Sequence, residues 1–239
     1  MALSLERLDA ELRRRNIPDL AVVKLLVLGN SGRGKSFLLD ALIASKLFEH
    51  RMSATSVTAA NDFALYIDEK HVAWALCNAP GLIEADATKI ERNQLCIEGV
   101  INLKPAASMV AVFVFGHAGG RPLDEDVRAF QSVKRYIPTL PDKSIAFIVN
   151  PVERDDFNSD AEYNTWLAQI SRLIHETTGT SDDAKVFATP KVAGRDRNDY
   201  QSAAMQGLSA AVFNIVQQLK PATVLPAPEA RLILDKNLM

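Results

Sequence analysis

The sequence predicts a three-layer α/β fold: a mixed, mostly parallel six-stranded sheet, doubly wound, with helices on both faces. Three observations predict it. Short apolar runs alternate with helix-period segments along most of the chain. One strand, glycine-rich loop and helix stand in succession near the start, over residues 21–43. Two β-rich runs, 61–67 and 71–77, are joined by Asp68-Glu69-Lys70 and read as a hairpin, which places an antiparallel strand at one sheet edge. With 239 residues and 48% hydrophobic content the chain can bury a full α/β core. We divide it into an amphipathic helix (1–20), one α/β domain (21–219) and a tail (220–239).

Residues 3–15 place Leu3, Leu5, Leu8 and Leu12 at helical spacing, opposite Glu6, Arg7, Glu11 and Arg13 to Arg15, and Asn16-Ile17-Pro18 ends the helix. The three arginines read as a solvated face, with contact to acidic lipid or phosphate as the alternative. Residues 21–28 are apolar except for Lys24, as expected of a central parallel strand covered on both faces. The helix after the glycine loop is expected to reach about residue 46, and 52–58 is a small polar segment without a helical stripe. Beyond the hairpin come Asn78-Ala79-Pro80-Gly81, a helix over about 87–103 and a strand over 109–115. A helix over 123–137 carries Leu123, Val127, Phe130, Val133 and Ile137 on one face. A strand over 144–149 follows, then a helix over 160–178 with Tyr163, Leu167, Ile170 and Ile174 inward, stopped by Gly179. A strand over 185–188 and a helix over 201–219 complete the alternation, and the proline-spaced segment after Lys220 cannot continue a helix.

Composition narrows the function classes. A net charge of -2 and a pI near 6.1 leave no electrostatic footprint for duplex nucleic acid, so no nucleic-acid partner is expected. Cys77 and Cys96 lack metal-ligand spacing and are too few for a disulfide framework, which fits a reduced, cytoplasmic compartment. No apolar run is long enough to span a bilayer; peripheral membrane association through a partner stays open.

The chemistry rests on Gly29-Asn30-Ser31-Gly32-Arg33-Gly34-Lys35-Ser36, which has the spacing G-x-x-x-x-G-K-S between a strand and a helix. Backbone N–H groups of such a loop converge on one point, and the helix start adds unpaired N–H groups and partial positive charge aimed the same way. A nucleoside triphosphate is the expected occupant, enclosed by Asn30, Ser31, Gly32, Arg33, Gly34, Lys35, Ser36 and Phe37. Lys35 would neutralise the β- and γ-phosphates, and the Ser36 hydroxyl would ligate Mg²⁺.

Further along, Ser45-Lys46-Leu47, Ser56-Val57-Thr58, Ala79-Pro80-Gly81-Leu82 and the Gly120-Arg121 turn before an acidic helix start follow this loop in a fixed order. In that order the chain resembles GTPases of the AIG1/GIMAP type, related to septins and chloroplast Toc GTPases, over about residues 24–219. The resemblance implies a Ras-like G domain that binds GTP and GDP with Mg²⁺ and forms a homodimer through its nucleotide face.

Carried over by position, Thr58 is the first-switch threonine, its hydroxyl on Mg²⁺ and its N–H toward the γ-phosphate; an ordinary turn threonine is the alternative. Gly81 offers an N–H to the γ-phosphate. Asn78 departs from the family's aspartate and supplies only a neutral oxygen, so metal binding is expected to weaken. Leu82 stands where Ras-like enzymes orient water with glutamine, so hydrolysis is expected to be slow. Arg121 is implied to stabilise charge across a dimer; the alternative is that it pairs with Asp124 or Glu125 at the helix start. His117 reads as a satisfied loop histidine, or as a polar contact.

Asn150-Pro151-Val152-Glu153 takes the place of the guanine-reading motif. Asn150 keeps the first position, Pro151 loses the lysine that covers the base, and Glu153 is either the guanine reader or a solvated carboxylate. Ala188-Thr189-Pro190-Lys191 falls where the last base-contacting loop belongs. Two function classes stay open: a slow GTPase activated by dimerisation, and a nucleotide-loaded pseudo-GTPase acting as a scaffold. A P-loop kinase or ATPase is disfavoured by the hairpin between the phosphate loop and Asn78.

Overall fold

The computed structural model describes residues 5–18, 22–48, 62–68, 71–82, 87–102, 108–193, 196–197, 199–224 and 232–234. Strand β1 (Val22–Leu28) is buried along its whole length and hydrogen-bonded on both edges. It pairs in parallel with β3 (Ala73–Asn78) on one side and β4 (Ser108–Phe115) on the other. β2 (Asp62–Ile67) lies antiparallel to β3 as the edge strand. On the far side β7 (Ile145–Val152) and β8 (Lys185–Pro190) extend the parallel set, giving the six-stranded order β2-β3-β1-β4-β7-β8. The pieces β5 (His117–Ala118) and β6 (Arg121–Pro122) form a separate two-stranded ribbon.

The predicted three-layer architecture is the one observed. Helices α2 (Lys35–Leu42) and α6 (Ala203–Gln218) pack on one face of the sheet, through Leu38, Leu39, Leu208 and Val212. Helices α1 (Leu5–Arg14), α3 (Ala87–Ile101), α4 (Asp124–Tyr136) and α5 (Asp160–Thr178) cover the other, where Phe113, Phe115, Phe130 and Phe147 meet edge-on or tilted. Leu8 and Leu12 sink α1 into that core. Ser159 and Gly179 bound α5 at the limits its sequence signals, the serine accepting from the Glu162 N–H and the glycine turning left-handed at φ 71°.

Three differences from the sequence expectation have local causes. α2 stops at Leu42, four residues before the expected 46, because Ala44 adopts φ 49° and the buried Asp40 carboxylate turns back to accept the N–H groups of Leu47 and Phe48, each at 2.8 Å. That turn carries Phe48 into the core. β7 and β8 run on to Val152 and Pro190, past the expected 149 and 188, because each supplies the other's ladder partners beyond a register shift between Val149 and Val152. The segment after α6 lies against the protein where it is described: Ala222 pairs with Met109, Val224 and Leu232 are buried, and the Leu232 N–H donates to Glu98 Oε1 at 2.6 Å. Met109 is at the start of β4, so this contact is made at the sheet end away from the phosphate loop. Residues 52–58 lie outside the described residues.

Both cysteines are free, and burial pushes the Cys77 thiol up to about 12, out of reach of ordinary thiolate chemistry. Among the described residues no helix is long and apolar enough to cross a membrane. The Asp40 turn yields a prediction. Asp40→Ala strands the buried Phe48 N–H and the half-buried Leu47 N–H and should lower unfolding free energy by about 2 kcal/mol in a urea titration; a loss below about 1 kcal/mol would mean that water replaces the carboxylate.

Candidate functional site

Among the described residues the polar groups of the loop 29–36, of Asn78 and of Asn150 gather at the carboxyl ends of β1, β3, β4 and β7, where the connections from β1 to α2 and from β3 to α3 leave toward opposite faces of the sheet. β1 ends at Gly29, whose backbone passes under the Val114 carbonyl of β4. A Cβ there would stand 2.6 Å from that oxygen, so the crossing admits glycine alone. The loop then turns over the strand ends to Gly34, at φ 88°, which caps α2. At Gly34 a Cβ would come within 2.6 Å of Asn150 Nδ2. The first turn of α2 therefore begins with Lys35 and Ser36, both buried, at the positive end of the helix dipole.

Lys35 Nζ donates to the Asn30 carbonyl at 3.1 Å, lying back along the loop. Ser36 Oγ meets the Asn78 side chain twice, with Oγ to Oδ1 at 3.2 Å and Nδ2 to Oγ at 3.0 Å, and Asn78 is wholly buried at the end of β3. Ser31 is half-buried and Gly32 exposed at the outer rim of the loop. Phe37 points toward the α6 side, where the Arg197 guanidinium stands 5.8 Å from its ring centroid.

Asn150 is the tie between loop and sheet. The register shift in β7 turns its side chain toward the loop, where Nδ2 donates to the Arg33 carbonyl at 2.8 Å while Oδ1 accepts from the Thr189 hydroxyl of β8 at 2.8 Å. One amide thus joins the phosphate loop, the motif 150–153 and the loop region 188–191. Glu153, half-exposed, forms an ion pair with Lys191, and the Lys191 N–H donates to the Val152 carbonyl at 3.0 Å.

Opposite, the segment after β3 is drawn onto the loop. The Leu82 N–H donates to the Gly29 carbonyl at 3.2 Å, and Asn93 of α3, wholly buried, donates to the Gly81 carbonyl at 2.9 Å. Leu82 is itself in the core. Thr58 lies outside the described residues.

Arg121 stands exposed in the ribbon before α4, apart from Lys35 and Ser36. Among the described residues no hydrogen bond or ion pair joins it to Asp124 or Glu125; Glu125 pairs with Arg33 instead. The ribbon is anchored by His117, whose Nε2–H donates to the Pro151 carbonyl at 3.2 Å and whose ring meets Trp166 edge-on at 5.6 Å.

Sequence reasoning missed Asp126. It accepts from Asn30 Nδ2 at 2.7 Å, from Arg33 Nε at 3.2 Å and from the Gly116 N–H at 2.7 Å. Burial raises its pKa, against the lowering effects of the Arg33 charge and the Gly116 N–H. The signal was present, since 126 falls beside Leu123, Val127 and Phe130 on the buried stripe of α4, where a carboxylate needs partners.

Arg33 is matched by Glu125 and Asp126, so the charge left to the cradle is that of Lys35, the loop amides and the α2 dipole. No group of three or more His, Cys, Asp or Glu able to hold a metal occurs among the described residues. Ser36 and Asn78 offer two neutral oxygens side by side.

No protein-family model matches the sequence, and no curated protein does. Solved structures are similar in fold. Toc33 from Arabidopsis thaliana in complex with GDP and Mg²⁺ has TM-score 0.57 and 16% identity over 92% of this chain and 93% of that one. Toc33 in complex with Mg²⁺ and GMPPNP has TM-score 0.54 and 17% identity over 91% and 92%. A substituted Era from Aquifex aeolicus bound to GDP·AlF4⁻ has TM-score 0.52 and 14% identity over 90% of this chain and 62% of that one. The chain has the three-layer α/β fold of these structures, and residues 29–34 join β1 to α2 within it.

Proposed function

We propose that this chain is a guanine-nucleotide-binding protein of the AIG1/GIMAP type, a slow GTPase that uses Mg²⁺ and dimerises through its nucleotide face. The observation that carries the reading is the double hydrogen bond of Asn150, which fixes the phosphate loop to the two strands whose ends would flank a base. A cradle of amides alone would hold any polyphosphate; a cradle tied to a carboxylate-bearing loop at Glu153 supports a purine nucleotide. Glu153 accepts guanine N1–H and the exocyclic amine on this reading, after exchanging its surface pair with Lys191. The Toc33 structures with GDP and with GMPPNP lend support, as does the statement that dimerisation matters for the GTPase activity of chloroplast translocon components.

Each residue then has a task. Loop N–H groups from Asn30 to Ser36 hold the phosphates, and Lys35 leaves the Asn30 carbonyl to neutralise them. Ser36 fits Mg²⁺ as a hard oxygen ligand, Asn78 adds a neutral one, and Thr58 is the proposed third. Bound Mg²⁺ would neutralise charge on the β- and γ-phosphate oxygens. Gly81 offers its N–H to the γ-phosphate, and Arg121 reaches across a dimer to developing charge. A second reading, the nucleotide-loaded scaffold, is favoured by Leu82: its side chain is buried in the core, so no polar group stands at that position to orient a water.

Identifying the nucleotide that copurifies, with and without Mg²⁺, tests the first claim. Guanine nucleotide should be recovered from the wild type, and Lys35→Ala should weaken GDP binding about a hundredfold by isothermal titration. Failure of the wild type to retain any purine nucleotide at saturation refutes the reading.

In single-turnover GTP assays the wild type should be slow, and Asn78→Asp should tighten Mg²⁺ dependence about tenfold by restoring a charged oxygen; a fast wild-type rate that the substitution leaves unchanged counts against it. Turnover that rises with protein concentration supports the enzyme, whereas intact nucleotide after long incubation supports the scaffold. Arg121→Ala should lower the concentration-dependent part at least about tenfold while leaving nucleotide affinity of the monomer intact; equal loss at every dilution would refute a role in trans.

A further inference from the structure

Resting on the reading of residues 29–36 as a nucleotide cradle, we infer that Asp126 is a positioning residue for that cradle, acting through Asn30 to set the peptide on which Lys35 lies. Asp126 is in the first turn of α4 and is 1% exposed. Its carboxylate is costly to bury, and its neighbours Val127 and Phe130 on the same stripe are apolar. Its side chain makes no hydrogen bond or ion pair elsewhere in α4 among the described residues. Its partners are Asn30 and Arg33 of the loop and the Gly116 N–H at the end of β4.

Those contacts form a continuous path. At the surface Glu125, 42% exposed, pairs with Arg33. The Arg33 guanidinium lies close against Gly116, where a Cβ would meet Nη1 at 2.9 Å, and its Nε stands 3.1 Å from Asp126 Oδ2. Asp126 Oδ1 then holds the amide of Asn30, a residue only 4% exposed, at 2.7 Å. The carbonyl of the same Asn30 accepts Lys35 Nζ at 3.1 Å and the Arg33 N–H at 3.4 Å. Fixing the Asn30 side chain fixes that peptide, and with it the start of the loop. Arg33 pairs with the carboxylate, which offsets its charge, so it stiffens the loop with less repulsion of phosphate. Charge-assisted bonds to a buried carboxylate are among the stronger single contacts available for this task.

The test uses the full chain loaded with mant-GDP, with release followed by fluorescence after excess GDP is added. Asp126→Asn keeps the shape but removes the charge and one acceptor oxygen, and release should quicken about tenfold to a hundredfold. Asn30→Ala should quicken it similarly, and adding Asp126→Asn in that background should change release less than threefold, because Asp126 acts through Asn30. Glu125→Gln, at the exposed end of the path, should change it less than threefold. Release from Asp126→Asn within twofold of wild type overturns the inference. So does full additivity with Asn30→Ala, which would assign Asp126 to helix packing alone. Should Asp126→Asn not fold, Asn30→Ala decides by itself, and a wild-type rate in that variant overturns the inference. A wild type that never retains mant-GDP refutes the nucleotide reading first, which distinguishes that failure from this one.

Discussion

A strand buried on both faces and paired on both edges leaves its chain a single exit, and the exit of β1 sets the shape of everything above the sheet. β1 pairs with β3 over Val22–Val27 and with β4 over Val23–Leu28, and the chain turns where pairing stops. At that point the Val114 carbonyl lies so near Gly29 that no side chain fits. The loop is thereby pressed against the end of β4 and forced to return over β1 as α2. Its far end is fixed by a different strand: Asn150 of β7 reaches the Arg33 carbonyl and leaves no room for a Cβ at Gly34. Two glycines thus mark where a rigid sheet touches the loop, and the amides between them are held in a curve before any ligand arrives, which spares the cost of ordering them on binding.

The parts of this fold legible in the sequence are those whose signals are local. The apolar run of β1, the hairpin ends around Asp68 and the glycine that stops α5 each carry their own evidence within a few residues. Where a segment's fate depends on a distant partner, the sequence gives the residue and withholds its reason. Asp40 looks like one more polar position of α2 until Leu47 and Phe48 turn back to it. Asp126 looks like an acid placed to suit a helix start, which it also is. Its loop partners Asn30 and Arg33 precede it by more than ninety residues, and no periodicity connects them. Asn150 was found by motif position, whereas its bond to Thr189 came only with the pairing of β7 and β8.

Charge around the loop is distributed unevenly. Arg33 is paired with two carboxylates, while Ser36 and Asn78 are neutral and satisfy each other. On the proposed reading the attraction for phosphate comes from Lys35, from N–H dipoles and from the α2 terminus. On the proposed reading a divalent cation would be held mainly by the phosphates it accompanies, since Asn78 adds no charge to draw it. Affinity for nucleotide and affinity for metal would then be separable properties of one site, governed by different residues.

Lys24 and Asp126 are two of the buried charges on the α3 and α4 side of the sheet, and comparing them explains why one is structural while the other bears on the proposed site. Lys24 of β1 donates Nζ to the carbonyls of Val100 and Ile101, at 3.4 and 2.9 Å, in the last turn of α3. It serves acceptors that a helix end leaves open, and burial lowers its pKa. Asp126 is in the first turn of α4, the complementary end, yet its side-chain partners belong to the phosphate loop and the end of β4. The cation anchors a helix to the sheet and stops there. The anion anchors a helix to the loop itself, so the position of α4, and of the Arg121 ribbon joined to it, is tied to Asn30 and to the carbonyl that accepts Lys35.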